Sequence, residues 1–402
     1  MVTNHYDLTR MTSGGSLADQ ILGRTGVPAL VTRPGFDAQE RAAWAGCLHG
    51  GLVQTQPTTT LVPVADSDIG SGYPTFAHAR GWQDYLLAEH FTVDHPHEEV
   101  RQFLGDVGDA AAAHDFAAVK HLAFDATTLL RYRCTRLVVR STVEPYLPAP
   151  VELYERGAHG RLVVEPVQTT GDLTLDLALG DVVGGVVAAS AATRVAYRPE
   201  VVDVARISPV GRLDGLTKVV VLGEPVDPYV DDFAVVLVCR RTRLKDCAAR
   251  LEVRAARLDV GDPRRSKLEH RFHQALRRAA VLRVVVNAMT YGNFARTDGT
   301  SGGGSKPGPW WFAPLAATAT GDVRMVLAIV RADIEARGGG VLATDTDGIL
   351  AAVSPDGGET VETNDGHTFR ALSWAEHDQV LGGLDHLALD QGDFWKVERS
   401  HA

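Results

Sequence analysis

The segment at residues 341–353 constrains the fold of this chain more than any other. Two apolar, β-prone runs, 341–343 and 349–353, flank a tight Asp-Thr-Asp-Gly sequence. Asp-Gly between two such runs predicts a β-hairpin. Side chains at i and i+2 of an extended chain point to the same side, so we expect Asp345 and Asp347 to lie together. Two carboxylates form half of a site for a hard cation such as Mg²⁺, and the rest must come from elsewhere in the chain.

Length and composition are those of an ordinary globular protein. The 402 residues are 45% hydrophobic and 22% charged, which predicts two or three subdomains. The sequence has no apolar run long enough to span a bilayer and no signal-peptide core in residues 1–10, so we expect a cytoplasmic protein without a membrane partner. The four cysteines form no Cys-x-x-Cys pair, which predicts neither disulfides nor a cysteine zinc site.

Charge is distributed unevenly along the chain. The formal net charge is −10, whereas a nucleic-acid-binding protein usually has a basic footprint. Residues 240–283 nevertheless concentrate many arginines and lysines. Two interpretations remain open: a solvated helical face, or a surface that meets polyphosphate or a nucleic-acid backbone.

Periodicity and turn residues predict the main elements. Helical spacing or composition predicts helices at 37–49, 97–105, 109–123, 175–193, 230–257, 265–286 and 318–337, after a polar lead-in with one short helix in 1–25. Alternation predicts strands at 61–65 and 219–222 and a small antiparallel insert at 134–166. Residues 297–309 are rich in glycine and serine, which indicates a flexible linker, natural or introduced.

Two further segments carry candidate functional groups. The strand at 61–65 is expected to deliver Asp68 at its end as the third carboxylate, although aspartate at a strand end is more often a turn or cap residue. Arg283 and Asn287 stand at i and i+4, so they share one face of the second basic helix. A cation and an amide one turn apart suit phosphate oxygens.

In this order, the segments resemble the motifs of family B DNA polymerases. Residues 68–74 resemble the first palm motif, Asp-x-x-Ser-x-Tyr-Pro, and residues 344–348 resemble the second, Asp-Thr-Asp-Ser. Residues 283–292 resemble the fingers motif, Lys-x-x-x-Asn-(Ser/Ala)-…-Tyr-Gly, in the longer form associated with bacterial, plasmid-type members. Weaker similarities lie at Gly50-Gly51, 227–228, 307–315 and 394–398, so the resemblance covers most of residues 12–398.

The resemblance implies an α+β fold with a right-hand polymerase core. An antiparallel palm sheet backed by helices would receive a helical fingers element between the two palm motifs. The implied division is a lead-in at 1–60, a palm with a small β insert at 61–229, fingers helices at 230–296, a linker at 297–309 and the palm completion at 310–402.

The resemblance also implies a chemistry, nucleotidyl transfer of dNTPs to a 3′-hydroxyl by two metal ions. Asp68 and Asp347 would bridge two Mg²⁺ ions, with Mn²⁺ as the alternative, while Asp345 would assist. Ile69 would offer its carbonyl to the nucleotide-bound metal.

Further positions would bind the nucleotide. Arg283 and Asn287 would hold the triphosphate, joined by Arg241 and Lys245. Tyr73 would lie against the sugar of the dNTP. Tyr291 would flank the nascent base pair on a DNA primer–template or another nucleic acid.

Several positions depart from the family pattern. Arg283 stands where the family has lysine, which keeps the charge but changes the donor geometry. Gly72 replaces a larger apolar residue, which we expect to loosen the nucleotide pocket, and Gly348 replaces serine. The sequence contains no exonuclease motifs and no thumb motif, which predicts low processivity or a partner chain that supplies the grip. The alternative is an idle polymerase-like scaffold that binds nucleotide or nucleic acid.

One histidine-rich segment lies outside these motifs. His90, His95 and His97, with Asp94, could form a metal cluster, and surface decoration is the alternative interpretation.

Overall fold

A computed structural model describes residues 14–49, 52–59, 62–141, 154–156, 162–164, 173–299, 305–390 and 392–400. Parts of four predicted features lie outside the described residues: the lead-in at 1–13, the Gly50-Gly51 pair, most of residues 142–172 and the linker centre at 300–304.

The described chain contains both helices and strands throughout its length. The helices are α1 (Gly14–Thr25), α2 (Ala38–Ala45), α3 (Gly72–Ala79), α4 (Trp82–Leu87), α5 (His97–Ala112), α6 (Phe116–Phe124), α7 (Ala126–Arg131), α8 (Leu179–Thr193), α9 (Phe233–Ala256), α10 (Pro263–Asn287), α11 (Asn293–Ala295), α12 (Ala313–Ala336) and α13 (Trp374–Leu381). The strands are β1 (Leu52–Thr55), β2 (Val64–Ile69), β3 (His90–Asp94), β4 (Thr135–Ser141), β5 (Tyr154–Arg156), β6 (Leu162–Val164), β7 (Leu173–Ala178), β8 (Glu200–Val210), β9 (Val219–Val221), β10 (Glu224–Val226), β11 (Thr297–Gly299), β12 (Ser305–Pro307), β13 (Val341–Thr346), β14 (Gly348–Ser354), β15 (Thr360–Glu362), β16 (Thr368–Arg370), β17 (Leu372–Ser373) and β18 (Trp395–Ser400).

The sheet with the most strands among the described residues contains the predicted hairpin. Its strands run in the order β1-β13-β14-β2-β18, all antiparallel, with β17 pairing parallel to β14. Ala65, Ser67 and Ile69 of β2 are buried, while Asp66 and Asp68 between them are exposed. This period-two alternation turns the apolar side of β2 to the core and its carboxylates to the opposite face.

The described residues form a second antiparallel sheet with the strand order β3-β8-β4-β7. Two predictions for this part of the chain were wrong. The strands predicted as a small insert at 134–166 begin with β4, which is an inner strand of this sheet between β8 and β7. The helix predicted at 175–193 is strand β7 followed by helix α8. Small apolar residues fit a buried strand and a buried helix equally well, so periodicity did not separate the two.

Helix α12 is the central helix of the core. Nearly every residue of α12 is buried, and its length and apolar composition would also suit a membrane span, but that apolar stretch is fully enclosed by the protein. The helix contains two buried charges with bidentate partners: Asp322 accepts from Arg80 at 2.6 and 2.7 Å, and Arg324 donates to Asp181 at 2.6 and 2.9 Å. Paired in this way, each charge is compensated within the core.

Helices α9 and α10 confirm the two long helices predicted from the basic segment. Asp232 caps α9 by accepting from two backbone N–H groups, and its other oxygen accepts from the Trp82 indole at 2.9 Å. Asp262 caps α10, and Pro263 occupies its first turn. Caps of this kind fix where each helix begins.

Several boundaries differ from the predictions, including the start of α12 at Ala313 and the end of α2 at Ala45. The ends of the predicted linker pair as a ribbon, with Thr297 opposite Pro307. The Ala-rich helices are α5 and α6, so the first is longer than predicted. Strand β2 continues to Ile69, because β14 and β18 pair with it on both sides, so Asp68 lies within the strand and not beyond its end. The mixture of helices with antiparallel sheets confirms the α+β class.

Candidate active site

Strand register brings the predicted carboxylates together. Asp68 on β2 lies opposite Gly348 on β14, and Gly348 lies opposite Asp345 on β13. Asp347 occupies the turn between β13 and β14, and its carbonyl accepts from the Ile69 N–H at 2.9 Å. Directly opposed residues of antiparallel strands are roughly 5 Å apart, so Asp68, Asp345 and Asp347 share one end of the sheet.

The hairpin turn is unusually tight. Thr346 adopts a left-handed conformation with φ of 60°, and the Asp347 N–H donates to the Asp345 carbonyl at 2.7 Å. The premise of an extended chain from Asp345 to Asp347 was therefore wrong, because the chain turns at Thr346. The two side chains differ in environment: Asp345 is exposed and Asp347 is half-buried.

Two glycines let the backbone approach these carboxylates closely. A Cβ on Gly348 would lie 2.6 Å from Oδ1 of Asp68. A Cβ on Gly72, at the start of α3, would lie 3.4 Å from both Asp347 Cβ and Val323 Cγ2. Gly72 therefore does not face an open space, and a larger side chain there would press on Asp347.

Burial and neighbouring acidic groups both shift the pKa of Asp347. Burial and then the neighbouring Asp68 raise the pKa of Asp347 to about 6, although Arg283 opposes the shift. The pKa of Asp66 is also raised, first by burial and then by Asp68, Glu398 and Asp345. Carboxylates held close together by the fold favour either a proton or a bound cation.

A group of cations lies next to the carboxylates. Arg241 and Lys245 come from α9, Arg283 comes from α10, and Lys396 comes from β18, directly opposite Asp68. Burial lowers the pKa of Lys245, and Arg241, Lys396 and Arg283 lower it further. Burial and Arg241 lower the pKa of Lys396 in the same way, while Asp390 partly offsets this. We call these four side chains the cationic cluster, and their mutual repulsion favours an anionic ligand.

One hydrogen bond links the cationic cluster to the first palm-like motif. Arg241 donates from Nη1 to the Ser71 hydroxyl at 2.8 Å. Ser71 precedes α3 with φ of 63°, a left-handed conformation that turns the chain from β2 into the helix. The bond fixes the guanidinium of Arg241 close to the end of β2.

The end of α10 positions the remaining predicted residues. Asn287 is the last residue of α10, one turn beyond the exposed Arg283. It is followed by a π-helical turn, Ala288–Gly292, which contains Tyr291. A π-turn accommodates one more residue than an α-turn, which matches the longer spacing before Tyr-Gly in the sequence. Tyr291 stacks on Tyr73 with ring centroids 4.8 Å apart.

Sequence reasoning missed several members of this site. Lys396 appeared only within a weak similarity, and Asp66, Ser71 and Asp390 were not assigned roles. The alternation of apolar and charged residues in Trp395–Ser400 could have identified an amphipathic strand, but not the strand with which it pairs. That pairing links positions more than 300 residues apart and has no local signal.

Comparisons with known proteins give distant similarities only. No protein-family model and no curated protein matches the chain. It is similar to the solved structure of Phi29 DNA polymerase complexed with primer-template DNA and incoming nucleotide substrates, with 12% identity and a TM-score of 0.40, over 86% of this chain and 49% of that one. It is also similar to the family B DNA polymerase from the hyperthermophilic archaeon Pyrobaculum calidifontis, with 11% identity and a TM-score of 0.28, over 90% of this chain and 33% of that one.

The chain spans about half the length of the first of these polymerases and a third of the second. At this distance, function has to be argued from the site itself.

Proposed function

We propose that this chain is a DNA polymerase-like nucleotidyltransferase that adds deoxynucleotides to a 3′-hydroxyl. The observation that carries the proposal is the convergence of Asp68, Asp345 and Asp347 at one end of a sheet, next to the cationic cluster. Adjacent acidic and basic groups suit a metal-bound polyphosphate, whose metal needs carboxylates and whose phosphates need cations.

The pairing of strands in the sheet that positions Asp68 and Asp347 suggests how the chain divides into domains. Strands β2 and β14 pair directly, although the α9–α10 hairpin separates them in sequence. We therefore propose a palm formed by residues 61–229 and 310–402 and fingers formed by 230–296. In this right-hand arrangement, the fingers helices reach the palm from the face that bears the carboxylates.

The carboxylates fit a divalent cation by their chemistry. Asp68, Asp345 and Asp347 offer only oxygen donors, the set that Mg²⁺ and Mn²⁺ prefer. Burial and the nearby Asp68 raise the pKa of Asp347, so a bound cation would favour its ionised form. Asp68 and Asp347 would hold the cation between β2 and the turn, Asp345 would assist from its exposed position, and the Ile69 carbonyl would complete the set. Bound there, Mg²⁺ would supply acidification of a 3′-hydroxyl and neutralisation of pyrophosphate.

The cationic cluster would hold the triphosphate. Arg283 and Asn287 approach from α10, while Arg241 and Lys245 approach from α9. We add Lys396, which lies opposite Asp68 and would reach a phosphate oxygen bound beside that carboxylate. Charge-assisted contacts of this kind orient the phosphate chain and stabilise the charge that develops on it.

The stacked tyrosines would bind the rest of the nucleotide. Tyr73 follows Gly72, which lies close to Asp347, and its ring stacks on that of Tyr291. We propose that Tyr73 contacts the sugar and that Tyr291 lies against the base pair. Base–aromatic stacking contributes about 1–3 kcal/mol per base.

The positive charge of the helical hairpin formed by α9 and α10 supports a nucleic-acid partner, although the net charge of the whole chain is negative. A concavity of about 430 Å³ at the tip of this hairpin is lined by Arg254, Arg257, Arg264, Lys267 and Arg271, with two leucines. Local positive charge attracts a phosphate backbone even when the whole chain is acidic.

A nucleotide-binding scaffold without turnover is the second candidate. The observation that favours it is Arg283, an exposed arginine where the resembled motif has lysine. Both candidates predict that the protein binds a dNTP, and only the enzyme extends a primer.

Measuring dNTP binding and primer extension on the same protein preparations distinguishes the enzyme from the scaffold. We would titrate the protein with each dNTP and Mg²⁺ and assay primer extension with wild type, Asp68→Ala and Asp347→Ala. Extension by wild type that is lost in both variants supports the enzyme. Binding without extension on any primer supports the scaffold, and activity that survives both substitutions contradicts the site assignment.

A further inference from the structure

A second group of metal-ligating side chains lies in the β3-β8-β4-β7 sheet. His95 and His97 lie between β3 and the first turn of α5, and Asp203 lies on the neighbouring strand β8. One ring nitrogen of each histidine and one oxygen of Asp203 lie within 4.8 Å of one another. This grouping differs from the sequence prediction, because Asp94 instead pairs with Arg206.

The spacing of His97 and Asp203 is close to that of two ligands in a tetrahedral metal site. His97 Nε2 lies 3.4 Å from Asp203 Oδ1. Ligands bound at about 2.0–2.1 Å around a tetrahedral ion are about 3.3 Å apart. Only small side-chain rotations of His97 and Asp203 would therefore be needed.

Hydrogen bonds already orient two of the three ligands. His95 Nδ1 lies 2.6 Å from the Val204 carbonyl, which can only accept, so Nδ1 carries the proton and Nε2 keeps its lone pair. Metal-bound histidines typically make this kind of bond through their second nitrogen. Oδ2 of Asp203 accepts from Arg136 at 3.4 Å, which leaves Oδ1 for the histidines. Asp176 also pairs with Arg136, so the guanidinium charge is shared.

A buried carboxylate oxygen next to this group supplies the independent observation. Oε2 of Glu40, in the first turn of α2, is buried and has no hydrogen-bond partner among the described residues. Glu40 interacts electrostatically with Arg136 and, more weakly, with His95 and Asp203. An unsatisfied buried oxygen costs free energy, and a shared cation would remove that cost.

We propose that His95, His97 and Asp203, completed by Glu40, bind one divalent transition-metal ion of the Zn²⁺ type. Two imidazoles with carboxylates favour such an ion over Mg²⁺, which prefers oxygen ligands. The ion ties together three segments that are distant in sequence: α2, the β3–α5 connection and β8. Its role is structural, and it is independent of the proposed nucleotidyl transfer.

The test is a metal titration of the full, untagged chain after treatment with a chelator. Zn²⁺ affinity is measured against a chromophoric competitor, and Co²⁺ is used as a probe because tetrahedral coordination gives intense visible absorption. We expect one tight equivalent in the wild type. His97→Ala and Asp203→Asn should each weaken binding at least about tenfold and remove the tetrahedral Co²⁺ spectrum.

The chain offers a matched control for this experiment. His90 lies on β3 but pairs with Val210 at the other end of the strand, so His90→Ala should bind Zn²⁺ like the wild type. If His97→Ala does not fold, His95→Asn and Glu40→Gln replace it, because both retain polar side chains of similar size. No tight equivalent in the wild type, or equal affinity in wild type, His97→Ala and Asp203→Asn, overturns the proposal. Unchanged affinity in Glu40→Gln removes Glu40 from the ligand set.

Discussion

Replacing Asp347 with asparagine should make the metal-free protein more stable at neutral pH. Its carboxylate is half-buried beside Asp68, and burial with this neighbour raises its pKa to about 6. The backbone bonds of residue 347 to Asp345 and Ile69 do not involve the side chain, so the turn should survive the substitution. The variant thus removes one charge and leaves the local fold in place.

The magnitude follows from the two pKa values. The ordinary aspartate value is 3.8 and the folded value is about 6, so the folded state binds more protons than the unfolded state between these values. Stability therefore falls as pH rises through this window, and the penalty is complete above it. Two pKa units correspond to about 3 kcal/mol as an upper limit. Because the side chain is partly exposed, solvent screening should reduce the gain to roughly 1–2 kcal/mol.

Urea unfolding in the presence of a chelator measures this gain. We expect the stability of Asp347→Asn to exceed that of the wild type near pH 7.5 and to match it near pH 3, where the carboxyl group is largely neutral in both the folded and the unfolded wild type. Asp345→Asn is the matched control, since its exposed side chain should have a smaller effect. Added Mg²⁺ should stabilise the wild type more than Asp347→Asn, because a bound cation relieves the same repulsion.

Two results would refute the reasoning. A variant no more stable than the wild type near pH 7.5 would mean that the carboxylates are not crowded in the folded state. An equal gain at both pH values would mean that packing, and not ionisation, causes the change.

Three further substitutions test other parts of the structure. Lys396→Met should raise the KM for dNTP roughly tenfold, because it removes a charge-assisted contact. Lys218→Met is the control, since Lys218 is exposed and its loss should leave the KM unchanged. Equal KM values in the two variants would exclude Lys396 from the site. Gly348→Ala should lower turnover, because the new methyl group displaces the carboxylate of Asp68. The free energy of unfolding should change by less than about 1 kcal/mol, since only the end of that side chain has to move. Unchanged turnover would contradict the close approach of Gly348 to Asp68. His377 is 1% exposed, and burial lowers its pKa to about 4. The folded state should therefore lose roughly 2–3 kcal/mol of stability as pH falls from about 7 to about 4.5. Urea unfolding of His377→Leu should lack this loss, and an identical pH profile would show that His377 is not its source.

The features that could be predicted from sequence are those with local signals. The hairpin around Asp347 follows from Asp-Gly between apolar runs, and α9 and α10 follow from their length and their capping aspartates. The i and i+4 spacing of Arg283 and Asn287 placed both on one helix.

The features that could not be predicted depend on long-range pairing. Lys396 reaches the site only because β18 pairs with β2 in one particular register. The linker prediction was wrong at its ends because Thr297 pairs with Pro307, a contact that composition does not encode. Asp203, which we propose as a metal ligand, was missed because it lies more than 100 residues from His97 in sequence and approaches it only in the folded chain.

Incorporation of a single deoxynucleotide at a primer 3′ end tests the central claim most directly. The assay compares wild type with Asp68→Asn and Asp347→Asn in Mg²⁺, with folding of each protein checked by circular dichroism. The account predicts extension by the wild type and a loss of at least about 10²-fold to 10³-fold in each variant, the scale expected for removing a group that stabilises transition-state charge. No extension by folded wild type with any dNTP, or equal rates in wild type and both variants, would contradict it.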